Sequence, residues 1–168
     1  LDTCQFVSDL SILPQACPNI KIIRLKNCSS IVDLSFIMRF PALEKVEFND
    51  MAGISVELLE YLEEHGIEYT ITEDDYETSK KVEEIIDEII TDDMTDYAKV
   101  KAIYDYMTAN ISYDYDNLND ESHKLKYTAY AALINKTAVC QGYAILFYRL
   151  ALECGIDARL ISGDATNS

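Results

Sequence analysis

Lys136–Gly163 reads KTAVCQGYAILFYRLALECGIDARLISG. Counted from Tyr143, apolar residues recur at Leu146, Phe147, Leu150, Ala151 and Cys154, the spacing of one wide apolar helix face. Gly155 supplies a left-handed stop, and Ile156 to Ser162 has the pattern of a short strand. Cys140 stands where a turn becomes the helix. Lying three residues before Tyr143, it is expected on the buried side of the first turn. A thiol there meets N–H groups that have no helical partner, and the positive end of the helix dipole. Both favour the thiolate over the thiol. Gly142, two residues on, is expected to leave room for a substrate backbone, with Gln141 beside it on the binding edge. Taken alone, a small apolar residue at a helix entry explains a cysteine equally well.

Val139-Cys140-Gln141-Gly142-Tyr143-Ala144 resembles the V-C-x-G-Y-A sequence that carries the nucleophile of the bacterial transglutaminase-like superfamily. Gly155, Ile156, Ala158, Arg159, Ile161 and Gly163 match the family's following G-I-x-A-R-x-I-x-G. Upstream, Tyr104-Asp105-Tyr106-Met107 with Asn110-Ile111-Ser112-Tyr113-Asp114 resembles its helix and N-I-x-Y-D turn, and Ala129-Tyr130-Ala131-Ala132-Leu133 its A-Y-x-A-L element. Four short motifs in order make the match far more specific than a lone V-C-x-G. The resemblance implies that Cys140 attacks a carboxamide or peptide carbonyl of a protein or peptide substrate and forms a thioester. Release by an amine or by water would give cross-linking, deamidation or proteolysis, and these three stay open. The Cys140 backbone N–H is the expected oxyanion donor, with Tyr130 a second candidate. The family works with a Cys, a His and an Asp in that chain order, a base to take the thiol proton and a carboxylate to orient the base. Both histidines here, His65 and His123, precede Cys140, so this reading places the base and the carboxylate beyond Ser168. It invokes no cofactor and no metal.

Composition narrows the partners. The formal charge is −16, which argues against nucleic acid or an anionic membrane, since both are bound through Lys/Arg surfaces. Between Glu73 and Asp96, eleven acidic residues stand against two lysines, the pattern of a solvated helix face. No apolar run approaches the length of a membrane span. The five cysteines show neither C-x-x-C nor zinc-finger spacing, so free thiols are expected, with Cys154 a core residue. In the loop from Asp114, Asn119 and Leu125 occupy the places where a calcium loop needs Gly and Glu. The chain begins at Leu1 with neither Met nor a signal peptide, and the compartment stays open, secretion and the cell surface included.

The first 71 residues repeat. Leu1-Asp2-Thr3-Cys4 aligns with Leu25-Lys26-Asn27-Cys28, and Asp9-Leu10-Ser11 with Asp33-Leu34-Ser35, both at an offset of 24; Pro18-Asn19-Ile20 aligns with Pro41-Ala42-Leu43 at 23. Ile20, Ile23 and Leu25, like Leu43, Val46 and Phe48, resemble the L-x-x-L-x-L strand of leucine-rich repeats, with Cys28 at the Asn/Cys position that turns the chain. Lys21, Ile22, Arg24, Lys26, Glu44, Lys45 and Glu47 then line the exposed face, a place for a protein partner or simply a soluble surface. Ser55 is expected to cap a helix that Gly66 ends, before a last strand at Ile67–Ile71. Glu73 to Glu77 reads as a linker. After it come a helix with a Val82, Ile85, Ile86, Ile89, Ile90 stripe and, capped by Thr95, a second helix burying Tyr97, Val100, Ile103, Tyr104, Met107 and Ile111. Tyr113, Tyr115, Tyr127 and Tyr130 are expected to crowd the approach to Cys140. The expected fold is therefore α+β: a short leucine-rich-repeat end, a β/α solenoid over 1–72, then the helical half of a transglutaminase-like, papain-like domain over 76–168. The rival from another class is a non-catalytic binding scaffold built from the same two parts.

Overall fold

The structure, a computed structural model, describes residues 1, 2, 7, 9–26, 28, 31, 33–49, 51, 54–158 and 160. It mixes helix and strand, as α+β requires. A short helix α1, Leu13–Ala16, precedes strand β1, Ile22–Lys26; a 3-10 turn at Ser35–Arg39 precedes β2, Lys45–Asn49; and helix α2, Val56–Glu64, precedes β3, Glu68–Thr70. The three strands pair in parallel in the order β1-β2-β3. Ile22 faces Lys45 and Lys45 faces Glu68, so the register steps by 23 residues at each crossing. Asp2 bridges Lys26 in parallel, matching the aligned Leu1-Asp2 and Leu25-Lys26.

Alternation explains the layer. Ile23 and Leu25, and Val46 and Phe48, turn inward onto Leu58, Leu59 and Leu62 of α2, while Ile22, Arg24 and Lys26 face out. The Asp9 and Asp33 carboxylates accept the N–H groups of Ser11 and Ser35, at 2.7 and 2.9 Å, so the aligned residues make the same turn twice. Cys28 is buried and its Sγ donates to Lys26 O at the end of β1. On the exposed face, Lys21 pairs with Glu44, Arg24 with Glu47 and Lys45 with Glu68, at 2.6, 2.5 and 2.7 Å. Each pair spans one register step, so the charges of this face largely satisfy one another. Cys4 and Asn27 lie outside the described residues.

Ser55 caps α2 by accepting from Leu58 N–H, and Gly66 ends it at φ +64°. The expected linker is helical. Helix α3, Glu73–Ile89, starts five or more residues early because Thr72 Oγ1 accepts the Asp75 N–H and donates to the Asp75 carboxylate. Glu73, Asp74 and Asp75 then sit in the first turn, where the helix dipole favours acid. Helix α4, Asp96–Asn110, is capped by Thr95 and buries Ile103 and Met107. Tyr97 and Tyr104 are exposed, against expectation. Tyr97 lies around the helix from the Ile103–Met107 line and Tyr104 stands at its edge, where a tyrosine tolerates water at its hydroxyl end. Strand β4, Ser112–Tyr113, pairs in parallel with β5, Thr137–Ala138. Between them a 3-10 turn at Lys124–Tyr127 leads to helix α5, Ala129–Leu133, and after β5 comes helix α6, Cys140–Glu153.

These later elements pack a second apolar cluster. Val82 and Ile85 of α3, Ile103 and Met107 of α4, Ala132 and Leu133 of α5, and Leu146, Leu150 and Ala151 of α6 are buried together. Each fully buried Leu contributes about 1.5–3 kcal/mol relative to exposure. Arg149, on α6 and only 2% exposed, links this cluster to the first. Its guanidinium donates to Ile54 O and, at 3.0 Å, to Ser79 Oγ on α3; Ser79 Oγ in turn donates to Ile54 O at 2.9 Å. Burial holds the Arg149 pKa down at about 10, with Glu153 and Asp75 working against that.

Candidate functional site

Helix α6 opens at Cys140, with Val139 as N-cap and no side-chain cap. Two features hold this start in place. Val139 N–H donates to Lys126 O at 3.1 Å, and the β4–β5 ladder fixes the chain just before it, Asp114 N–H donating to Ala138 O at 3.0 Å. The first helical residue is therefore the cysteine, at the end where N–H groups lack helical partners. Gly155 ends the helix at φ +78°.

Cys140 is exposed, not on the buried side. Tyr143, from which that expectation was counted, is itself only half-buried. The inward face runs through Gly142, Ile145, Leu146 and Arg149; Cys140, Gln141 and Ala144 fall outside it. The thiol thus stands at an open helix end, accessible to a reagent. Gly142 also differs from expectation. It is buried, and a Cβ there would meet Ala138 Cβ at 2.7 Å, Lys126 O at 2.8 Å and Thr128 O at 3.0 Å. The room that this glycine leaves is filled by the chain itself, while Gln141 remains exposed.

Tyr130, half-buried on α5, faces the acidic start of α3. Burial, and then the Glu77 and Asp74 carboxylates, push its hydroxyl pKa up. Tyr143 lies one turn into α6 and donates its hydroxyl to Ile111 O at 2.6 Å. Tyr113 stacks on it at 6.2 Å and Tyr115 leans on Tyr113 at 4.9 Å. Burial pushes the Tyr143 hydroxyl pKa up, the Tyr115 and Tyr113 hydroxyls adding to it.

Lys126 gave no signal in the sequence. It is 1% exposed, and its ammonium donates to three backbone carbonyls, Asn117 O at 2.6 Å, Asp120 O at 2.8 Å and Leu118 O at 3.1 Å. Asp114, also buried, accepts from the Asn117 N–H and Nδ2. One lysine therefore ties the 117–120 loop, by its side chain, to the start of α6, by its carbonyl. His65 follows α2 with Nδ1 against Tyr61 O, and His123 precedes the Lys124–Tyr127 turn with its N–H on Asp120 O. Neither is hydrogen-bonded to Cys140 among the described residues. Cys154 is buried, its Sγ donating to Ala151 O, and burial raises its pKa. The expected strand after Gly155 is not formed at Ile156–Ala158, and Arg159, Ile161 and Gly163 lie outside the described residues. Among the described residues, no cluster of His, Cys, Asp or Glu has the geometry to hold a metal, and no helix is long and apolar enough to cross a membrane.

An exposed cysteine thus opens a helix packed against α3, α4 and α5 in a mixed α+β chain. The transglutaminase-like superfamily model matches residues 83–168, just over half of the chain, and the chain belongs to that superfamily. No curated protein and no solved structure is found to match it.

Proposed function

We propose that Cys140 is the nucleophile of an acyl transfer on protein amides. Its thiolate attacks the carbonyl carbon, the amine leaves with a proton, and the thioester is released by an amine or by water. The observation that supports this best is the position of Cys140, the first residue of α6 and exposed, inside the matched region. The same helix end supplies the Cys140 N–H as oxyanion donor. Tyr130, engaged with Glu77, contributes less to this reading. Gln141 lies on the exposed edge and is assigned to substrate contact, whereas Gly142 acts by letting the helix start close on Lys126 and Thr128. Limiting iodoacetamide tests the reading. Cys140 should be alkylated well before Cys17, which is exposed but opens no helix; faster reaction at Cys17 would remove its support.

The division into 1–72 and 76–168 belongs to the same proposal. The two buried clusters support it, and the 23-residue register with its repeated Asp turns supports a leucine-rich-repeat-like first part. A second reading, a non-catalytic scaffold with a protein partner on the exposed sheet face, draws on one observation: the described residues bring neither histidine into hydrogen-bonding contact with Cys140.

A further inference from the structure

Resting on the reading of Cys140 as nucleophile, we propose that Tyr115 determines specificity at the same site by receiving a basic side chain, lysine or arginine, of the peptide whose amide is attacked. Its place comes from the sheet register. Tyr113 faces Ala138, two residues before Cys140, and stacks on Tyr143, one turn after it. Tyr115 packs on Tyr113, so three rings run outward from the first turn of α6. Exposure of one aromatic ring is ordinary by itself. Here the 76% exposed ring stands on a loop that cannot swing freely, because the buried Lys126 ammonium holds the carbonyls of Asn117, Leu118 and Asp120 and Asp114 holds Asn117. A rigidly mounted ring binds at low entropic cost.

The charge of the occupant follows from three features. Aromatic faces attract cations. Asp116, next to Tyr115, and Glu121 on the same loop make no ion pair among the described residues, while Lys126 is turned inward on backbone and Lys124 is left as the loop's outer cation. A chain of formal charge −16 also repels acidic peptides. A guanidinium or ammonium is therefore favoured over an apolar or acidic side chain.

The test compares two iodoacetamides of equal shape on the intact 168-residue chain, one with a trimethylammonium-ethyl tail and one with a 3,3-dimethylbutyl tail. Alkylation rates are mapped at Cys140 and, as internal reference, at Cys17. At Cys140 the cationic reagent should react about fivefold faster than its neutral isostere, relative to the same ratio at Cys17. Tyr115→Ala should lower that ratio by at least half, the Asp116 and Glu121 carboxylates keeping the remainder, and Tyr115→Phe, which keeps the ring face, should retain it. Equal rates on the native chain, a faster neutral reagent, or a ratio that Tyr115→Ala lowers by less than half would each overturn the assignment while Cys140 remains reactive. Failure of both reagents and of plain iodoacetamide to modify Cys140 ahead of Cys17 would instead overturn the nucleophile reading on which it rests.

Discussion

Gly142→Ala should destabilise the fold, although alanine is the better helix former. A Cβ at 142 would sit 2.7 Å from Ala138 Cβ, 2.8 Å from Lys126 O and 3.0 Å from Thr128 O. Two of these neighbours are backbone carbonyls of short, tied segments. Lys126 O already accepts the Val139 N–H, and Thr128 caps α5 through Ala131 N–H, so neither can move by a side-chain rotation. Overpacking of this kind costs about 1–3 kcal/mol, and backbone neighbours put this site at the upper end. The helix propensity of alanine returns up to about 1 kcal/mol. The net loss is about 2 kcal/mol, a fall in Tm of about 4–8 °C for a chain of this size. Thermal unfolding followed by circular dichroism reads it. Ala144→Gly, exposed on the same helix, isolates the propensity effect and should cost about 1 kcal/mol or less. An unchanged or higher Tm for Gly142→Ala would show that the glycine faces open space, as the sequence suggested, and that the packing described around the start of α6 is wrong.

Other perturbations probe separate parts of the chain. Ser79→Ala removes one acceptor from the buried Arg149 guanidinium and one donor from Ile54 O; it should cost about 1–3 kcal/mol in a denaturant titration. Glu153 has its pKa raised, chiefly by burial and against the pull of Arg149. Its ionised form is therefore disfavoured in the folded chain above that raised value, and the penalty fades as pH falls through it, so Glu153→Gln should raise Tm at pH 7 and the gain should shrink towards pH 4. Lys126→Met leaves three carbonyls without their ammonium and should cost on the order of 3 kcal/mol. Hydrogen exchange should then accelerate first in residues 115–122, and exchange beginning in α3 instead would locate the damage elsewhere. Amine incorporation into a glutamine peptide should be absent for the 168-residue chain, because neither His65 nor His123 is hydrogen-bonded to the thiol among the described residues; incorporation lost in His123→Ala would identify that histidine as the base.

What could be read from residues alone followed periodicity and local caps. Ser55, Thr95, Gly66 and Gly155 each act within four residues, and all four do what their residue types imply. The parallel pairing of β1 and β2 followed from an internal repeat, which is long-range information written twice. The start of α3 is legible in principle, as Thr72 and Asp75 form a local cap, but the acidic run over 73–77 carries no apolar period and so reads as a linker. The β4–β5 pair could not be read, since two residues per strand carry no period and their contact spans more than twenty residues. Lys126 was hidden for a different reason: its partners are backbone carbonyls, which leave no mark on side-chain pattern. Arg149 did leave one, a charge set between Tyr148 and Leu150 on an apolar helix, a position that burial forces to find acceptors. At the site, the motif located Cys140 at the helix start, but the side of the helix depended on counting from Tyr143, which sits at the margin of the buried face.

The central proposal, a thioester at Cys140, is tested most directly by acylation with the p-nitrophenyl ester of an N-acyl amino acid, an activated substrate that needs no acid to expel its leaving group. After brief incubation, peptide mapping should find the acyl mass on Cys140 ahead of Cys17, labile to neutral hydroxylamine and transferred to an added primary amine, with none of this in Cys140→Ala. Acylation of Cys17 in preference to Cys140, or a Cys140→Ala chain that still transfers the acyl group to the amine, would contradict it.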